Sequence, residues 1–132
     1  MDNSNSTVVA KSLNLVNWLA LAFPILVLIG LVGWPLWKHV RFNQAVEYEQ
    51  AGKTAYARGD WQAAERQHLA SLEIYRALND QTGMVKQYDF LGSLYVSHHN
   101  LPGAIEMFLQ SLEIYKALGD QKEMAKQYAN LG

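Results

Sequence analysis

Cysteine is absent from all 132 residues, which excludes disulfides, thiolate catalysis and cysteine-ligated zinc or iron–sulfur centres. Net charge is almost absent as well: eleven basic residues stand against twelve acidic ones, interleaved along the chain, for a formal charge of -1. A nucleic-acid footprint needs a clustered basic face, so no nucleic-acid partner is expected. There is no glycine-rich phosphate loop, no nucleophile elbow and no HExxH helix. His39, His68, His98 and His99 have no partner at metal-ligand spacing on a shared helix face, and His98-His99 reads as a solvated connector. Asp60, Asp80 and Asp120 stand at helix starts, where a carboxylate already has a structural task, so no acid–base pair is legible. No catalytic residue, no metal and no cofactor is expected, and the chain does not read as an enzyme.

What is present divides sharply. Met1 to Asn17 is a short polar tail with Asp2 and Lys11 as its only charges, too small to fold alone. Residues 18–37 then read WLALAFPILVLIGLVGWPLW without a charge. Twenty residues at about 1.5 Å each span roughly 30 Å, the hydrocarbon thickness of a bilayer. Trp18 at one end and Trp34 and Trp37 at the other suit the headgroup level. A buried core helix is the bland alternative, but a small domain cannot cover a helix that is apolar on every side. A cleaved signal peptide fits less well, because the run is long and Lys38-His39-Val40-Arg41 follows it instead of a small-residue cleavage site. A transmembrane helix over residues 18–38 is therefore expected, in contact with lipid, followed by a basic juxtamembrane link over 39–44. Pro35 marks its last turn in this reading, and Pro24 either bends the helix or is tolerated in it. Gly30 and Gly33 leave a thin face for contact with another membrane helix. Lys11 on the short side against Lys38, Arg41, Lys53 and Arg58 on the long side places the C-terminal region in the cytoplasm and the N-terminus outside. An uncleaved signal anchor with the opposite orientation is the competing picture.

From residue 45 onward the chain repeats itself at an offset of 40. Ser71-Leu72-Glu73-Ile74-Tyr75 recurs as Ser111-Leu112-Glu113-Ile114-Tyr115, and Met84, Lys86, Gln87, Tyr88, Leu91 and Gly92 return as Met124, Lys126, Gln127, Tyr128, Leu131 and Gly132. A fixed period of this size implies stacked units that bury their apolar faces only against neighbours. Arg58-Gly59-Asp60 and His98-His99-Asn100 read as turns, with Asp60 and Asn100 as N-caps of helices over Trp61–Leu78 and Leu101–Leu118. Pro102 sits harmlessly in the first turn of the latter. Asn79-Asp80 and Gly119-Asp120 end one unit and cap the next, and Asp120 with Glu123 has capping-box spacing. Tyr88, Leu91, Gly92 and Tyr95 share one helical face, and Ile105, Phe108, Leu109, Leu112 and Tyr115 form a stripe on the next helix. Gly92 is expected to admit that helix closely near Ala104. Glu73 with Arg76 and Glu113 with Lys116 make surface pairs. The units fall at about 45–84 and 85–124, with a further one beginning at 125–132.

These positions resemble the tetratricopeptide repeat family: Tyr88, Leu91-Gly92, Tyr95, Ala104 and Phe108, and earlier Tyr48, Gly52 and Ala64. The chain is most similar to a 40-residue-period variant with a lengthened second helix closing on Ala117-Leu118-Gly119-Asp120. The first unit departs from the pattern, with Ala51 for a large residue and His68 where the second has Phe108. The resemblance implies an all-α fold, a right-handed stack of antiparallel helix pairs whose first helices line a concave, peptide-gripping face. Carried onto this chain, the groove positions are Glu49, Lys53, Tyr56, Asp89, Ser93, Val96 and Ser97. Glu49 and Asp89 would repel a C-terminal carboxylate, so a basic or mixed peptide fits better.

The expected function is a membrane-anchored adaptor or scaffold for a protein partner. A small accessory subunit of an integral membrane complex, held through its transmembrane helix, is the second reading, and a self-associating repeat protein the third. Gln121 to Gly132 repeats Gln81 to Gly92 and then stops, leaving Met124, Tyr128 and Leu131 as an open face to be covered by further chain or by a partner.

Overall fold

A computed structural model describes residues 16–18 and 20–132. Of the expected polar tail over 1–17, only Val16 and Asn17 fall among them, and both are helical; the rest lies outside the described residues. Among the described residues there is no strand, and the chain divides into two compact units, Met1–His39 and Val40–Gly132.

Within the first unit, apolar side chains face outward on all sides: Trp18, Phe23, Leu31 and Trp34 are each more than half exposed. Among the described residues one helix, Val16–Ala57, is long and apolar enough to cross a membrane. Pro24 is passed without a break. Pro35 does not mark a last turn, because it lies one residue inside the helix α1 (Trp34–Ala57). A proline there cannot donate to the carbonyl of Leu31, and its ring crowds that carbonyl. The five residues Ile29–Gly33 form a π-helix at this point, whose wider turn absorbs the misfit while the helix continues.

In the second unit α1 is followed by α2 (Trp61–Leu78), α3 (Gln81–Ser97), α4 (Leu101–Leu118) and α5 (Gln121–Leu131). Each of α2 to α5 begins on a side-chain cap: Asp60 accepts from the Ala63 N–H, Asp80 from Gly83, Asn100 from Gly103 and Asp120 from Glu123, at 2.9–3.1 Å. These bonds satisfy donors that the first turn otherwise leaves orphaned. The expected capping box at Asp120 is made only on one side. Glu123 pairs with Lys126 instead of reaching back, and the Asp120 N–H donates to the Tyr115 carbonyl at 3.0 Å. Helix ends repeat as faithfully as starts. Asn79 (φ 55) and Gly119 (φ 71) close α2 and α4 in the left-handed conformation, and Gly59 (φ 78) and His99 (φ 59) turn the chain before α2 and α4.

Consecutive helices from α2 onward pack against one another. Ala45, Ile74 and Tyr75 form one buried cluster and Leu72, Tyr88 and Leu91 the next, with Met84 packed against both. The core is therefore continuous from α1 to α4. At Gly92 the close neighbour is not Ala104 but the Phe108 ring, only 2.5 Å from where a Cβ would stand. The expected stripe on α4 is also corrected: Phe108, Leu112 and Tyr115 are buried, but Ile105 and Leu109 are 47% and 45% exposed. The buried line instead runs Ala104, Phe108, Ser111, Leu112, Tyr115, a helical stripe in which a serine takes a place the apolar pattern skips.

Candidate functional site

Three of the expected groove residues, Glu49, Lys53 and Asp89, line one cavity of about 370 Å³ together with His68, Lys86, Gln87 and Phe90. α1 supplies Glu49 and Lys53 one helical turn apart, so the ammonium reaches the carboxylate directly. Burial acts to raise the Glu49 carboxyl, but the Lys53 hydrogen bond and charge, the Gln87 amide and the charge of Lys86 outweigh it and hold it below the ordinary carboxylate value.

From α3, Gln87 is 1% exposed and makes two bonds in opposite directions. Its amide nitrogen donates to Glu49 Oε2 at 3.2 Å, and its oxygen stands 2.7 Å from His68 Nδ1. A carboxylate only accepts, so Gln87 must turn its nitrogen to Glu49 and its oxygen to His68; the His68 Nδ1 is then the protonated nitrogen. His68 Nε2 is left as a buried acceptor with no donor among the described residues. The ring lies between Gly52, where a Cβ would stand 2.5 Å from Cδ2, and Phe90, stacked at 3.7 Å between centroids. Burial pushes the His68 pKa down, against the opposing pull of Gln87 and Glu49. The neutral form of the side chain is thus favoured.

The same design recurs forty residues on with different chemistry. Asp89 accepts from Ser111 Oγ, from Gln127 Nε2 at 2.9 Å and from the Tyr115 hydroxyl at 3.0 Å. Burial, and then the Asp89 charge and hydrogen bond, push the Tyr115 pKa well up. Asp89 joins α3, α4 and α5, so its carboxylate is engaged inside the stack as well as bordering the cavity.

The other expected groove residues do not line this cavity. Tyr56 packs edge-on against Phe90, with centroids 5.5 Å apart, and Val96 is 46% exposed. Ser93 and Ser97 are exposed, and their hydroxyls donate to carbonyls of their own helix. Gly30 has no neighbour within 4 Å of a notional Cβ, and Gly33 meets only Ile29 of its own helix, so no other described segment lies against either. On α5, Tyr128 is 54% exposed while Met124 and Leu131 are half-buried. Both surface pairs form, at 2.8 Å each.

His68, Gln87, Ser111 and Gln127 belong to polar networks that apolar periodicity does not reveal. Their signal in the sequence is the exact recurrence of Ser71 as Ser111 and Gln87 as Gln127 within otherwise apolar faces. Among the described residues no three side chains are grouped to hold a metal ion.

Residues 42–117 match a family model described as tetratricopeptide repeat. No curated protein and no solved structure matches the chain.

Proposed function

Because the chain belongs to the tetratricopeptide repeat family, whose members are characteristically non-catalytic scaffolds, we propose that it is a membrane-anchored adaptor that holds a segment of another protein. The observation that carries the anchor is the uncharged, outward-facing apolar surface from Trp18 to Trp37, which water would not tolerate and a bilayer covers. Residues 18–38 are the span in this reading, 39–44 a helical juxtamembrane segment, and 45–132 the repeats, in units of about 45–84, 85–124 and a start at 125–132. Helices of 18 residues at Trp61–Leu78 and Leu101–Leu118 favour the 40-residue variant with a lengthened second helix. The lysine and arginine count favours repeats on the cytoplasmic side.

The partner lies along Glu49, Lys53, Tyr56, Asp89, Ser93, Val96 and Ser97. Support comes from a cavity that already gathers three of them, with exposed Tyr56 and Val96 offering apolar contact. The open surface of Met124, Tyr128 and Leu131 is a further contact for protein.

A second reading rests on Gly30 and Gly33, whose open space would admit another membrane helix. Two variants separate the readings by co-purification from solubilised membranes. The adaptor loses its partner on Ser93→Arg and keeps it on the double change Gly30→Leu with Gly33→Leu; an accessory subunit held through its span does the reverse. Extraction of the chain by alkaline carbonate would refute both.

A further inference from the structure

A second cavity, of about 250 Å³, opens between the first turn of α2 and the turn joining α3 to α4, lined by Trp61, Glu65, Leu94, Tyr95, His98 and Asn100. It shares no lining residue with the cavity at Glu49. Its walls are aromatic and its charge is of one sign. The Trp61 indole, 40% exposed, stacks on the His98 imidazole with centroids 4.2 Å apart. The Tyr95 hydroxyl donates to Glu65 Oε1 at 2.6 Å, which fixes that carboxylate beside the rings and leaves its other oxygen without a donor among the described residues. Burial, then the bond and charge of Glu65 and the charge of Glu106, push the Tyr95 pKa up to about 12. Neither Glu65 nor Glu106 has a cationic partner among the described residues.

We propose that this cavity receives an arginine side chain of a protein partner, the guanidinium plane lying along Trp61 and its N–H fork meeting the free oxygen of Glu65. A carboxylate held in place by a tyrosine and flanked by an indole supplies both things a guanidinium recognises, a planar π surface and an acceptor for paired donors. A lysine ammonium would use the charge but not the plane. Forty residues on, the equivalent places hold Leu101 and Ile105, which have neither charge nor aromatic wall. The site is therefore particular to the junction of the first unit with the second. It gives the protein a second point of attachment, independent of the groove reading, and two weak sites on one partner add through effective concentration.

The test uses the full chain in detergent micelles with its four tryptophan indoles labelled with nitrogen-15, the Trp61 resonance being identified by its loss in Trp61→Phe. Titration with N-acetyl-arginine methylamide should move the Trp61 indole resonance along a saturable curve with a dissociation constant of roughly 1–50 mM, as expected for a small fragment. The other three indoles should stay still, and N-acetyl-citrulline methylamide, which has the shape without the charge, should give no saturable shift. Glu65→Gln keeps an acceptor for Tyr95 and should weaken binding by roughly tenfold. Glu106→Gln, on the exposed side, should weaken it by about twofold. An unmoved Trp61 resonance, equal binding of citrulline or of N-acetyl-lysine methylamide, or unchanged affinity in both variants would overturn the proposal.

Discussion

The buried Gln87 of the second helix pair donates to Glu49 of the first, and Gln127 of the following helix donates to Asp89 of the second, across the same interval of 38 residues. Around this shared bond the two pairs diverge. A tyrosine faces each carboxylate, Tyr115 at Asp89 and Tyr75 at Glu49, but Asp89 is also gripped from within by Ser111, whereas Glu49 is met at the surface by Lys53. Against Gly92 lies the apolar Phe108 ring; against Gly52 lies His68, with one nitrogen bonded and the other bare. One backbone geometry thus carries two kinds of lock. The second is built from neutral donors on a single carboxylate and suits permanent rigidity. The first contains a base whose neutral form burial favours, and it forms the wall of the proposed groove.

The comparison can be broken most forcefully at Asp89. Its replacement by alanine strands the donors of Ser111, Gln127 and Tyr115, of which the first two are fully buried. Each stranded donor costs of order 1–3 kcal/mol, so Asp89→Ala should destabilise the repeat by about 3–4 kcal/mol in denaturant unfolding of the full chain. Glu49→Ala, which strands Gln87 and takes from Tyr75 the carboxylate beside it, both beneath a partly solvated ion pair, should cost about 1–2 kcal/mol. Equal losses would erase the distinction between the two locks.

His68 sharpens it through pH. Its folded pKa lies below the ordinary 6.5, so between the two values the unfolded chain binds the proton and the folded chain does not. The stability contributed by neutral His68 is fully present above pH 6.5 and is lost as pH falls from there through the lowered folded value. His68→Phe, which copies the second pair, should remove that dependence. The check is unfolding midpoints of both proteins across this range, and parallel curves would show that His68 does not titrate in the first lock.

The smallest effect concerns the turns. Gly59 and His99 occupy the same place one period apart, both with positive φ. A left-handed residue with a side chain is strained by about 1–2 kcal/mol, partly offset by the greater freedom glycine loses on folding. His99→Gly should therefore raise stability by about 0.5–1 kcal/mol, read as a higher thermal midpoint.

Much of this is legible in the amino-acid sequence. The caps at Asp60, Asp80, Asn100 and Asp120 and the bounds of Trp61–Leu78 and Leu101–Leu118 are local properties, set by side chains within three residues of the backbone they satisfy or by an apolar face of fixed period. The uncharged stretch from Trp18 to Trp37 was equally plain. What escaped was non-local. Apolar periodicity treats Gln87, Ser111 and Gln127 as surface, because nothing adjacent reveals the carboxylate waiting on another helix. Gly92 announced a close approach, but which side chain fills it depends on helix register, and Phe108 took the place expected near Ala104. Pro35 was misread because the π turn that accommodates it has no side-chain signature of its own.

The central claim, that the repeats hold a protein partner along the first-helix face while the N-terminal helix sits in the bilayer, is tested most directly by photo-crosslinking in intact membranes. A photoreactive phenylalanine analogue placed at Ser93 or Val96 should give one discrete protein adduct in the membrane fraction. The same group at Glu73, in an exposed surface pair outside the proposed groove, should give none. Adducts of equal yield from all three positions, or none from Ser93 and Val96, would contradict the account.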